Sequence, residues 1–219
     1  SKAILQAKSR LMDYPNDSEF FYFKGVSEEK NGEIDQAKLS YQSAIRFTPG
    51  NQKYHLALAN LFFDKGQYLY SALSFADAVT LVPHDVESRY MQGLSYFNAG
   101  EWKRAVSAWE NLLHYQSEHT LVKNLLPQAY YILAIEYNRT GLYSKSRASF
   151  DNAMSINVTT NAWLPQSMGI LGKYYREKSM YKESLSAYKE AIELRPKDSL
   201  AYLGLGITYW KMGESIMAT

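Results

Sequence analysis

Gly32, Gly66 and Gly100 lie 34 residues apart, and the residues around them repeat with the same period. Two positions after each glycine stand Ile34, Tyr68 and Trp102; five after, the small residues Ala37, Ser71 and Ala105; nine after, the aromatics Tyr41, Phe75 and Trp109. Seven before them stand Gly25, Ala59 and Gly93. The pattern resumes after two insertions. Gly141 lies 41 beyond Gly100, placing seven extra residues between Trp109 and Tyr130; Ser179 is 38 further on, and Gly213 again 34. A chain with such a period folds as an array of like supersecondary units, each burying its apolar face on the next.

Apolar positions three and four apart on both sides of each glycine predict one amphipathic helix before it and one after. The glycine permits the positive φ of a tight helix–helix turn. Pro49 and Pro83 close the second helix because proline cannot continue one. Small residues seven before and five after the turn let two helix backbones approach closely, and the aromatic nine after fills what remains. That column gives a structural home to an unusual composition, 15% aromatic with 19 Tyr. The fold class is all-α.

Tyr202, Leu205, Gly206 and Tyr209, with Leu171, Gly172, Ala191 and Pro196 one period earlier, carry a family pattern. By these residues the chain resembles tetratricopeptide repeat proteins. The resemblance implies a right-handed superhelical α-solenoid of antiparallel helix hairpins that binds other proteins. In its register, residues 1–16 are the second helix of a preceding incomplete repeat, an N-terminal cap with Ala3, Ala7 and Pro15 in column. Repeats follow at 18–51, 52–85, 86–126 with an extended linker, 127–164 with a short insertion, and 165–198. Residues 199–219 form an incomplete sixth, with its turn at Gly213.

Composition narrows the function classes. Hydrophobic residues make up 46% and charged residues 21%, as in proteins that bury a core. A net charge of +2, with dispersed basic residues, argues against a nucleic-acid partner. No apolar run is long enough to span a membrane. Absence of cysteine excludes disulfides, thiolate metal sites and a cysteine nucleophile, and leans towards an extracytoplasmic compartment. His114 and His119, five apart, fall on different faces of a helix, and Gly169-Ile170-Leu171-Gly172-Lys173 lacks phosphate-loop spacing. The expectation is a non-enzymatic chain with no cofactor and no metal.

The resemblance also implies that the first helix of each hairpin lines the inner, binding side, with positions 13, 10, 6 and 3 before the turn facing in. Those columns place Tyr22, Leu56, Asn60, Phe63, Tyr90, Leu94, Phe97, Tyr131 and Ile135 in an aromatic groove, with Lys173 and Arg176 at its end. They lack the Lys–Asn–Arg clamp of chaperone-binding members and the asparagine ladder of members fused to glycosyltransferases. The expected partner is a peptide or helix of another protein. Acidic Glu19 and Glu29 in the first repeat face Lys173 and Arg176 in the fifth, so the groove is expected to be polar along its length. The alternatives are a self-assembling structural solenoid, with terminal half-repeats pairing in a homo-oligomer, and a docking domain of a larger enzyme or envelope machine.

Overall fold

The computed structural model describes residues 17–156 and 163–217; the N-terminal cap expected at 1–16 lies outside them. Among the described residues there are eleven α-helices and no strand. They fall into two compact units that divide after Gln116. In the first, α1 (Ser18–Lys30) pairs with α2 (Ile34–Phe47), α3 (Gln52–Asp64) with α4 (Tyr68–Leu81), and α5 (Val86–Asn98) with α6 (Trp102–Tyr115). In the second, α7 (Thr120–Arg139) pairs with α8 (Tyr143–Ile156) and α9 (Trp163–Glu177) with α10 (Tyr181–Leu194); α11 (Ser199–Met217) packs on α10.

The turn column sets every hairpin. Gly32, Gly66, Gly100 and Gly141 have φ between +70° and +80°, and Ser179 takes the same place at φ +59°. Each turn closes with two backbone bonds: Glu33 N–H donates to Glu28 O at 2.8 Å and Gly32 N–H to Glu29 O at 3.0 Å. Gln67, Glu101, Leu142 and Met180 reach back in the same way, which satisfies carbonyls the helix end would leave bare. First helices start on side-chain caps. Asp17, Asn51, Asp85 and His119, each 34 after the last, accept from backbone amides of the first turn.

Two expectations change here. The linker expected to reach residue 126 is helical from Thr120, so the seven added residues lengthen α7 to 20 residues. Seven residues make about two turns at 3.6 per turn, so the inward face keeps its direction. Pro127 inside α7 stands 14 before Gly141, the register at which α3 and α5 begin, and is fully buried. Gly213 is not a turn. It lies within α11, because a tight turn is held by a second helix packing back, and none follows among the described residues.

Cores form where the small columns meet the rings. Tyr41 lies over Gly25, where an added Cβ would stand 2.7 Å from its ring. Trp109 lies over Gly93 and Tyr188 over Gly172, with Gly204 of α11 on the other side of Tyr188. Successive hairpins also meet through buried hydroxyls: Ser71 and Ser95 at 3.0 Å, and in the same two columns Ser184 and Thr208 at 3.0 Å.

Candidate functional site

In the first unit, α1, α3 and α5 carry the expected inward positions. Tyr22 on α1 stacks on Tyr54 of α3 at 5.3 Å, and the Lys53 ammonium lies 4.3 Å over the Tyr22 ring. Leu56 and Phe63 of α3, and Tyr90 and Leu94 of α5, are half-buried, and Asn60 is exposed. Phe63 meets Tyr68 edge-on at 5.4 Å. Burial, then the charge of Glu87, pushes the Tyr90 hydroxyl above its ordinary pKa, so it stays a neutral donor. These side chains are apolar anchors with part of their surface open.

Phe97 is corrected out of this set. It is 6% exposed and packs on Trp109 at 5.6 Å, inside the α5–α6 hairpin. The indole of Trp109 on the returning helix lies against it, so the ring joins the core.

Two of the four charges in the expected gradient hold neutral partners within their own units. Glu29 accepts a hydrogen bond from the Tyr41 hydroxyl at 2.5 Å. Arg176 donates to the Tyr188 hydroxyl at 3.1 Å and to the Gly204 carbonyl at 3.3 Å, tying α9, α10 and α11 together. Lys173 is exposed and meets Glu177, one turn on, at 3.9 Å.

In the second unit, Tyr131 and Ile135 of α7 face Phe150 of α8, with Tyr131 and Phe150 rings 6.0 Å apart. With Ala134, Asn138, Ser146 and Arg147 they line an open hollow of about 420 Å³. Burial, then the charge of Glu190, raises the Tyr131 pKa. Nearby, burial and Glu136 push the Tyr175 hydroxyl up to about 12, and it donates to Glu136 at 3.5 Å.

Sequence reasoning missed the outward face of α4. Leu69, Tyr70 and Leu73 are exposed, Tyr70 to 61%. They stand three, four and seven after the turn, columns filled by Lys103, Arg104 and Ser107 or by Lys182, Glu183 and Ser186 elsewhere. Comparing those columns would have exposed them. It also missed the hollow's rim. Among the described residues no His, Asp and Glu cluster as a metal site would, and no helix is long and apolar enough to cross a membrane.

Helical hairpins of a 34-residue register, closed by a left-handed turn residue and a ring over a glycine, define an all-α repeat protein. Tetratricopeptide repeat models match residues 56–116, 90–154 and 172–213, together more than half of the chain, and the chain belongs to that family. It is 27% identical over 132 residues to Superkiller protein 3 of Schizosaccharomyces pombe, covering 60% of this chain and 10% of that protein. It is 28% identical over 142 residues to the general transcriptional corepressor trfA of Dictyostelium discoideum, covering 65% and 10%. The chain thus spans about a tenth of the length of these relatives. Among solved structures, the TPR domain of P58(IPK) superposes with a TM-score of 0.52 at 14% identity, covering 95% of this chain and 68% of that one. YrrB, a TPR protein with an unusual peptide-binding site, gives 0.50 at 15% identity, covering 90% and 95%. Both show the fold. Proteins of this family are typically non-enzymatic scaffolds, and the fold generally mediates protein–protein interaction.

Proposed function

We propose that the chain is a protein-interaction scaffold whose first unit holds a peptide or helix of a partner along α1, α3 and α5. The observation that carries this reading is the set of partly open apolar side chains, Tyr22, Leu56, Phe63, Tyr90 and Leu94, on three successive first helices, with Asn60 among them. The helix backbones beneath are already hydrogen-bonded, so what these faces offer is side-chain anchors rather than backbone pairing. Half-open rings over a rigid helix cost little entropy on binding. Peptides selected from a phage-displayed library against the chain test it. Replacing Tyr90 and Leu94 together by Ser should weaken the selected peptides about tenfold or more while the helical signal persists. Peptides indifferent to that pair would sink the reading.

A second reading is self-association through α11. Leu200, Leu203 and Trp210 are exposed there, and an added Cβ at Gly206 would meet nothing within 4 Å. In the preceding period the equivalent Gly172 is covered by Tyr188. A mass in dilute solution that rises with concentration, and stays monomeric in Trp210→Ser, supports it; a monomer at all concentrations overturns it.

A further inference from the structure

Three antiparallel helix pairs of this chain seat a ring directly on a glycine: Tyr41 on Gly25, Trp109 on Gly93 and Tyr188 on Gly172. Helix α11 displays both halves of that contact with neither engaged. An added Cβ at Gly206 or at Gly213 would meet nothing within 4 Å. Tyr202 and Tyr209 are 52% and 50% exposed. Along α11 the order is Tyr202, Gly206, Tyr209, Gly213, rings and glycines alternating. At 3.6 residues per turn the four fall within an arc of about 60°, so they form one stripe. Leu203 and Trp210, each 60% exposed, border the stripe on one side.

We propose that α11 pairs antiparallel with α11 of a second copy, each chain seating Tyr209 on the partner's Gly206 and Tyr202 on the partner's Gly213. This rests on the self-association reading above and adds the register. The stripe is self-complementary. Gly206 and Tyr209 lie equally far on either side of the midpoint between Ile207 and Thr208, and so do Tyr202 and Gly213. A two-fold axis through that midpoint therefore brings all four ring–glycine contacts opposite at once, as an isologous interface requires. A parallel pair would set ring against ring and glycine against glycine, leaving the glycines uncovered. The contact formed is the one this chain already uses three times in its own core. At roughly 200 Å² per large side chain, the exposed parts of Tyr202, Leu203, Tyr209 and Trp210 come to about 450 Å² a side. The pair would bury about 900 Å² in all, the size of a weak and reversible interface rather than an obligate one.

Sedimentation equilibrium of the whole chain and two kinds of variant test this. Gly206→Leu enlarges the apolar surface yet blocks the seat of a ring. It should weaken the dimer about tenfold or more while the monomer keeps its helical signal, since the space at Gly206 is open. A dimer left as strong or made stronger by Gly206→Leu overturns the ring–glycine contact and leaves the self-association reading standing. The chain has no cysteine, so single cysteines report the register. Under mild oxidation, Tyr202→Cys and Gly213→Cys chains should crosslink when mixed, and neither should crosslink with itself. In the antiparallel register each of these positions lies eleven residues along the helix from its own copy. That is about 16.5 Å at 1.5 Å per residue, beyond a disulfide's reach of about 7 Å. A mixture that does not crosslink, or crosslinks within either variant alone, overturns the register. A monomer at every concentration overturns this inference and the self-association reading together.

Discussion

The indole of Trp109 lies directly on the backbone of Gly93, and its Nε1 donates to the Tyr90 carbonyl at 3.2 Å. The ring is fully buried, so the α5–α6 crossing is set by the absence of a side chain at Gly93. A Cβ there would overlap the indole. Gly25 with Tyr41 and Gly172 with Tyr188 repeat the relationship.

Gly93→Ala should therefore destabilise the chain. Overpacking costs typically 1–3 kcal/mol, against a helix-propensity gain of about 1 kcal/mol. Gly206→Ala makes the same chemical change where the space is open, so only the propensity gain remains. Urea midpoints should move in opposite directions. Equal shifts would mean that the slot over Gly93 yields without cost.

Ser179 holds the left-handed turn position that glycine fills in four other hairpins. A non-glycine residue there costs about 1–2 kcal/mol, partly offset because glycine is more flexible when unfolded. Ser179→Gly should raise stability by about 0.5–1 kcal/mol, and Gly66→Ala should lower it by a similar amount. Thermal melts of the two variants check both signs.

Phe97→Ser should unfold or severely weaken the first unit, since truncating a buried Phe costs about 3–5 kcal/mol. Tyr90→Ser, at a half-buried position, should cost clearly less. Circular dichroism melts that rank them the other way would return Phe97 to the surface.

Asp85 caps α5 and links it to α3. Its carboxylate accepts from the Ser88 amide at 3.2 Å, the Ser88 hydroxyl at 2.6 Å and the Gln52 amide at 2.6 Å. Burial pushes its pKa up, but these donors outweigh burial and hold it below the ordinary 3.8. A folded-state pKa below the unfolded one gives stability that is complete above the unfolded value and lost as pH falls through the folded one. Asp85→Ala should cost about 0.5–2 kcal/mol at pH 7. The gap to the unsubstituted chain should close as pH falls below about 4. A gap that is constant with pH would mean that the charge of Asp85 contributes nothing.

The hairpins were legible because their determinants are local. A positive φ needs glycine or tolerates little else, and a ring seated on a backbone needs a glycine or alanine beneath it. Gly32, Gly66, Gly100 and Gly141, and the pairs Gly25–Tyr41, Gly93–Trp109 and Gly172–Tyr188, are such determinants, and the 34-residue spacing made them visible. The face of each first helix was legible at the level of columns, through the period of 3.6.

What the columns could not show is which side chains in a shared register remain open. Phe63 and Phe97 occupy equivalent positions, yet one is half-buried and the other lies against Trp109. Arg176 reads as a rim cation until α11 brings the Gly204 carbonyl within reach. Phe150 shares the column of four buried rings and is 43% exposed instead, which residue identity does not announce. By itself, then, the sequence determined the period, the turns and the helix faces, because backbone sterics act between neighbours in the chain. Tertiary structure alone decided exposure, because burial depends on whether a neighbouring helix occupies the space that a side chain faces.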